Sequence, residues 1–323
     1  MKSNIDQGLF FYDLNLEIHD QKIEILQGLT QKQKSISAKY FYDQKGSELF
    51  EAITCLPEYY PTRTEVGLLK QHQKDIQNAV GKDSILVEYG SGASIKIRLL
   101  LDALKPKSYV PLDISKDFLY ESAIELKRLF PWLEIHATCL DYFQEAKLPT
   151  SLPKGLKKVG FFPGSSLGNF SPTQAANFLK QVRQSLGLGS NLIIGLDLVK
   201  SESILNAAYN DSQGITAQFN LNILNHLNTI GQGTFNLDHF EHHAFYNTEE
   251  QRIEMHLVSL FDQVVSLFHE RLSFKQGEHI VTEYSYKFTQ DGFAKFAKAA
   301  GFEVNDVWMD EGENFALFCL EGV

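Results

Sequence analysis

Residues 86–95 read LVEYGSGASI: an apolar run, an acid, two glycines one residue apart, then small residues. The run before the glycines has the character of a buried strand, and a glycine-rich turn directly behind a strand usually cradles something anionic or nucleotide-like. Outward from this stretch, the chain from residue 64 alternates helix and strand patterns. TEVGLLKQHQKDIQNAV (64–80) has helical spacing, with Val66, Leu69, Ile76 and Val80 near one face. Strand patterns follow at 84–89, 108–114, 133–140, 158–164 and 191–199, separated by helical stretches such as KDFLYESAIELKRLF (116–130). Another helix opens at Ser171-Pro172-Thr173-Gln174, a capping box with Pro at the first helical position. Apolar, β-branched strands alternating with helices predict βαβ units around a parallel sheet, an α/β fold.

After Val199 the alternation stops. SESILNAAYNDSQGITAQFNLNILNHL reads as helix, and HFEHHAFYN, RIEMHLVSLF and HIVTEYSYKF read as strands of an antiparallel unit. An amphipathic helix returns at TQDGFAKFAKAAGF, and VNDVWMD with ENFALFCLEGV predicts a hairpin that closes the first sheet. The expected domains are therefore 64–199 with 287–323, and 1–63 with 200–286, the second being α+β.

A chain of 323 residues with 43% hydrophobic and 22% charged residues has ample core for such an arrangement. Its net charge of −10 and pI of about 5.5 predict no generally basic surface for nucleic acid or an acidic membrane. Cys55, Cys139 and Cys319, odd in number and far apart, read as reduced thiols. Cys139 reads as a small buried apolar residue rather than a nucleophile. With no basic-then-apolar leader and no apolar run near ~20 residues, the expectation is a soluble cytoplasmic protein.

The glycine turn narrows the ligand. A dinucleotide fingerprint needs a third small residue, and this chain has Ile95 there; the glycine spacing of a Walker A loop before Lys96 is also missing. What remains is Glu88-Tyr89-Gly90-Ser91-Gly92, followed by Asp113 at the end of the second strand, where an acid can accept both ribose hydroxyls. Asp141-Tyr142 closes the third strand. Ligands of open parallel sheets lie beyond the carboxyl ends of the strands, so these three places converge. The set resembles the S-adenosylmethionine-dependent methyltransferases of the Rossmann-like class, whose seven-stranded sheet ends in an antiparallel hairpin.

Longer stretches are more specific. FYDQKGSELFEAITCLPEYYPTRTE (41–65), VEYGSGASIKIRLLLDAL (87–104), FFPGSSLGNFSP (161–172) and AAYNDSQGITAQFN (207–220), with RIEMHL (252–257) and TEYSYKF (282–288), resemble the histidine-specific Nα-methyltransferase family over almost the whole chain. That resemblance implies S-adenosylmethionine as co-substrate, no metal, and trimethylation of the α-amino group of L-histidine to hercynine, the first step of ergothioneine biosynthesis. It implies L-histidine and its mono- and dimethylated intermediates as partners, and we expect a monomer with no nucleic-acid or membrane partner. By motif it places Gly90 and Lys96 at the methionine end of the co-substrate, Asp113 at its ribose, and Asp141 and Tyr142 at its adenine. Tyr59 lines the histidine site, Asn169 and Tyr209 hold the carboxylate, Glu283 and Ser285 bond the imidazole with Met255 beside them, and Tyr42 sits by the amine. An ordinary phenol is a poor base at neutral pH, so Tyr42 is read as orienting the amine rather than removing its proton.

Plainer readings stand beside these. Tyr59 can be aromatic core, Asn169 a turn residue, and Glu283 the solvated face of a strand. His239, Glu241 and His243 share a face if paired as a strand, with His242 opposite, but form no recognised metal-ligand motif. The alternatives by class are a nicotinamide-dependent oxidoreductase, which Ile95 disfavours, and a non-enzymatic scaffold. Within methyltransferases the alternative substrate is another α-amino acid or a prenylated tryptophan.

Overall fold

Parallel strands must be crossed over by helices, and the order in which they pair fixes where the sheet reverses and a ligand can sit. The computed structural model describes residues 2–14, 18–92, 95–142 and 148–323, so Ala93 and Ser94 of the glycine turn lie outside the described residues. The chain divides into two compact units, Met1–Leu16 with Pro61–Leu198 and Phe288–Val323, and Glu17–Tyr60 with Val199–Lys287.

In the first unit the described residues build a nine-stranded sheet. Its spatial order is Lys2–Asp6, Leu9–Asp13, Glu134–Cys139, Ser108–Asp113, Ile85–Tyr89, Lys158–Phe162, Asn191–Asp197, Phe315–Gly322, Phe302–Met309. The five central strands are parallel to one another, and Phe315–Gly322 runs antiparallel beside Asn191–Asp197. Chain order reverses at Ile85–Tyr89, the strand that carries the glycine turn, so a topological switch point lies at that turn. Helices cover both faces. Leu69, Ile76, Ile97, Leu101, Leu119 and Leu126 pack on one, and Phe178, Val182, Leu186, Phe293 and Ala297 on the other. This is the Rossmann-like seven-stranded arrangement, with a further pair of strands added at one edge.

That added pair corrects the expected boundary. The sequence pattern places residues 1–63 in the second domain, yet Leu9–Asp13 pairs in parallel with Glu134–Cys139, aligning Leu9 with Ile135 and Phe11 with Ala137. Leu9 and Phe11 are buried in the first unit's core, so burial of one face of LFFYD draws this segment into the large sheet. The helix expected over 64–80 is two helices, Tyr60–Gln71 and Gln73–Val80, interrupted at His72, whose ψ is 19°.

In the second unit Lys34–Ser35, His279–Tyr286, Arg252–Ser259 and Phe240–Asn247 form a four-stranded sheet in that order. Ile253, Met255 and Leu257, at alternate positions of one strand, share a core with Phe219, Ile223 and Leu227 of the helix Ile215–Gly231. A second hairpin, Gln263–Leu267 with Glu270–Phe274, joins this unit. The helix expected over 201–227 is broken into Glu202–Tyr209 and Ile215–Gly231. Gly214 takes a left-handed φ of +70°, and the Asp211 carboxylate accepts the N–H groups of Ile215 and Thr216 at 2.9 and 2.7 Å, capping the second helix.

Candidate functional site

In the first unit the glycine turn is held by its neighbours. Gly90 and Ser91 donate their N–H groups to the Leu112 carbonyl at 2.9 and 3.1 Å, which ties the turn to the second strand. Gly90 has φ +74°, and a Cβ there would come 2.7 Å from the Tyr142 hydroxyl, so only glycine lets Tyr142 approach. Tyr142 is buried edge-on against Tyr89 and Phe162. Asp113 accepts the Gly92 N–H at 3.2 Å on one oxygen and the Ser115 N–H at 2.9 Å on the other. Desolvation raises its pKa above the usual carboxylate value, while those N–H bonds pull it back. The Asp113 carbonyl accepts the Leu140 N–H at 2.9 Å, joining the strand ends that carry Asp113 and Asp141. Gly90, Asp113, Asp141 and Tyr142 are thus gathered at one end of the parallel strands.

Glu88, the acid that opens the motif, turns inward. It is fully buried, with one oxygen accepting the Tyr109 hydroxyl and the other unpaired among the described residues. Desolvation pushes its pKa well above the carboxylate range, with the Tyr109 hydroxyl and the Lys96 charge opposing. Lys96, on the helix Ile95–Leu104, is buried and forms an ion pair with Glu65 at 2.7 Å. Glu65 is wholly inaccessible and also accepts the Gly164 N–H at 3.1 and 2.9 Å. A Cβ on Gly195 would lie 2.0 Å from a Glu65 oxygen, so a strand glycine makes room for the carboxylate.

Asn169 ends the short 3-10 turn Ser166–Asn169 in the same unit. Its loop is pinned at Gly164 by Glu65 and at Ser165, whose N–H donates to the Gly195 carbonyl at 3.1 Å and whose Oγ accepts the Asp197 N–H at 2.9 Å. The expected capping box begins two residues on, with Ser171 accepting from the Gln174 N–H and Gln174 accepting from the Ser171 N–H.

The second unit holds the other candidates. Tyr42 packs edge-on against Phe50 and Phe219, and Phe50 against Tyr59, with ring centroids 5.7, 6.0 and 6.3 Å apart. Asp43 fixes the chain here by accepting the Gly46 N–H at 2.7 Å and the Asn222 amide at 2.8 Å. On the sheet, Met255 lies opposite Glu283 and Ile253 opposite Ser285, whereas His256 lies opposite Val281. One extra residue, Thr282, is therefore inserted, and its hydroxyl donates to the Met255 carbonyl at 3.0 Å. Without that bulge the two-residue period would carry Thr282 and Tyr284 to the Ile280 side. With it, Glu283 and Ser285 share the face of Met255 and Ile253. Burial raises the pKa of the half-buried Glu283 to about 7, against the pull of the Lys287 charge. Ser285 Oγ accepts the Tyr209 hydroxyl at 3.0 Å and the Lys287 ammonium at 2.8 Å. Tyr209 is held from behind: His242 accepts the Asn220 amide on Nδ1 at 2.8 Å and so donates from Nε2 to the Tyr209 carbonyl at 3.0 Å. His239 lies in a 3-10 turn before the strand rather than on the expected face, since Phe240 begins the pairing. Among the described residues no group of three or more His, Cys, Asp or Glu is placed to hold a metal.

The sequence pattern of the family described as histidine-specific methyltransferase, SAM-dependent, matches residues 21–322. The chain belongs to this family. It is 38% identical over 300 residues to the histidine N-alpha-methyltransferase of Mycobacterium tuberculosis (strain CDC 1551 / Oshkosh), covering 91% of this chain and 92% of that protein. The histidine N-alpha-methyltransferase of Mycolicibacterium smegmatis (strain ATCC 700084 / mc(2)155) is 37% identical over the same shares. A 4-dimethylallyltryptophan N-methyltransferase of Claviceps purpurea is 26% identical, covering 92% of this chain and 94% of that one.

As a histidine-specific methyltransferase the protein uses S-adenosylmethionine, and the first unit fits that molecule. The open space over Gly92, the Asp113 carboxylate at the end of its strand, and the Ser91 hydroxyl, buried and unpaired among the described residues, offer polar partners. Sequence reasoning missed Glu65 and Lys287, although PTRTE and TEYSYKF contain them.

Proposed function

We propose that this methyltransferase trimethylates the α-amino nitrogen of L-histidine to hercynine, the first step of ergothioneine biosynthesis. The match to the histidine-specific family over 21–322, spanning residues of both units, carries the reading. The first unit serves as the S-adenosylmethionine-binding domain, through Gly90, Lys96, Asp113, Asp141 and Tyr142. The second serves as the substrate-binding domain. Bound S-adenosylmethionine supplies an electrophilic methyl group to the amine lone pair.

The chain's own residues then have to position a changing amine. Three transfers remove every N–H of the amine, so a grip on those hydrogens cannot persist through the sequence. Asn169 and Tyr209 avoid this by holding the carboxylate, which does not change. Tyr42 and Tyr59, stiffened by Phe50 and Phe219, supply an aromatic wall for the growing ammonium, and Tyr42 orients the nitrogen. Glu283 and Ser285 read the ring, and Met255 fills the space beside it. A buried polar pair rejects rings that leave it unpaired, which disfavours prenylated tryptophan and other apolar side chains. Histidine and its mono- and dimethylated forms are the ligands, and the monomeric protein works in the cytoplasm with its three cysteines as thiols. Competition of histidine against tryptophan, phenylalanine and tyrosine, with S-adenosylmethionine in excess and products read by mass, tests the reading. Methylated histidine should dominate; equal methylation of an aromatic competitor would overturn it.

A further inference from the structure

Lys287 is a cation in the second unit, 5% exposed, that none of the roles above uses. Its ammonium donates to Ser285 Oγ at 2.8 Å and to the Tyr209 hydroxyl at 3.4 Å, while Tyr209 donates to Ser285 Oγ at 3.0 Å. A hydroxyl has one proton and two acceptor lone pairs. With Lys287 and Tyr209 both donating to it, Ser285 has its two lone pairs engaged and only its own proton left to present. We infer that Lys287 is a positioning residue that fixes Ser285 as a hydrogen-bond donor, so that the site selects a ring offering a bare acceptor nitrogen there. This rests on the reading that Ser285 meets the histidine ring.

The polarity is hard to reverse because an ammonium donates and never accepts. If Tyr209 turns its hydroxyl to the substrate carboxylate, one Ser285 lone pair is released, but the Lys287 bond remains and its charge keeps the Ser285 proton turned away from the ammonium. Glu283, on the same face of the strand, supplies the opposite polarity, since an ionised carboxylate only accepts. The Lys287 charge favours that ionised form against the burial that opposes it. One donor and one acceptor on a single face match a neutral imidazole, which carries one bare nitrogen and one N–H. A pyrrole ring offers only the N–H, and a thiazole only the bare nitrogen. Lys287 thus makes the site a reader of azole polarity rather than of ring shape.

The test compares kcat/KM for histidine, β-pyrrolylalanine and β-thiazolylalanine in the wild type and in Lys287→Met, Lys287→Gln and Ser285→Ala. In Lys287→Met, Ser285 can rotate and accept, so preference for histidine over the pyrrole analogue should fall about tenfold or more, chiefly through KM. Preference over the thiazole analogue, which Glu283 sets, should move much less. Lys287→Gln, whose amide still donates, should retain most of the wild-type ratio. If both ratios stay unchanged in Lys287→Met, or fall together, while Ser285→Ala collapses the pyrrole ratio, the role given to Lys287 is wrong. If Ser285→Ala leaves that ratio intact, the ring does not meet Ser285 and the underlying placement falls instead.

Discussion

Removing Glu65 should damage the first unit more than any single change at its surface. Glu65 is wholly buried, pairs with the buried Lys96 at 2.7 Å and accepts the Gly164 N–H. Breaking a buried pair by deleting one partner typically costs about 3–5 kcal/mol, because the other charge is left without compensation. Glu65→Gln keeps the shape and one acceptor for Gly164 but faces Lys96 with an uncharged amide, which sets its cost near the lower bound, ~3 kcal/mol. For a unit of this size each kcal/mol moves the melting temperature by roughly 2–4 °C, giving a fall of about 6–12 °C. Lys96→Met should cost at least as much, since it strands a carboxylate. The double variant removes both charges together and should be more stable than the sum of the single losses implies, by about 2 kcal/mol or more. Urea unfolding followed by circular dichroism measures all three. Strictly additive losses would show that the two charges do not stabilise each other and would refute the reasoning.

Three further outcomes follow from the geometry. On the proposed placement of the ribose, Asp113→Ala deletes a charged acceptor and should weaken S-adenosylmethionine binding by about 1.5–3 kcal/mol, roughly ten- to hundredfold, in calorimetry; unchanged affinity would displace the ribose. Glu283, with a pKa of about 7, should contribute to kcat/KM for histidine a limb that rises through that pH as the carboxylate becomes able to accept the ring N–H, and Glu283→Gln should remove that limb. His256 has its pKa lowered to about 4, first by burial and then by the stacked His279, with Glu254 opposing. The unfolded chain therefore binds more protons between about pH 6.5 and 4, so His256's share of stability is complete above that window and lost as pH falls through it, up to about 3 kcal/mol. A His256→Gln variant should show a flatter urea midpoint over that range; an identical slope would assign the acid sensitivity elsewhere.

How much was legible depended on distance along the chain. The five parallel strands and the terminal hairpin were readable because each is a local pattern with its own turn. The glycine turn and the acids ending strands two and three were readable for the same reason. Leu9–Asp13 was not, because its partner strand lies at Glu134–Cys139, and a short alternating segment says nothing of where it pairs. The break at Asp211–Gly214 carried a visible turn signal, Asp-Ser-Gln-Gly, that helical spacing on either side overrode. Glu65 meets Lys96 and Gly164 only through the tertiary fold, so its burial left no local trace. The inward aim of Glu283 and Ser285 depends on the bulge at Thr282, and a one-residue bulge has no periodicity of its own. The shared face of these two residues was foreseeable; which side of the sheet it occupies was not.

The most direct measurement is a time course with L-histidine and excess S-adenosylmethionine, read by mass with fragmentation to locate the added groups. The account predicts mono-, di- and then trimethylated histidine, with every methyl on the α-nitrogen and the trimethylated form as the end product. Methylation of the ring, or product that stalls at one methyl while S-adenosylmethionine remains, would contradict it.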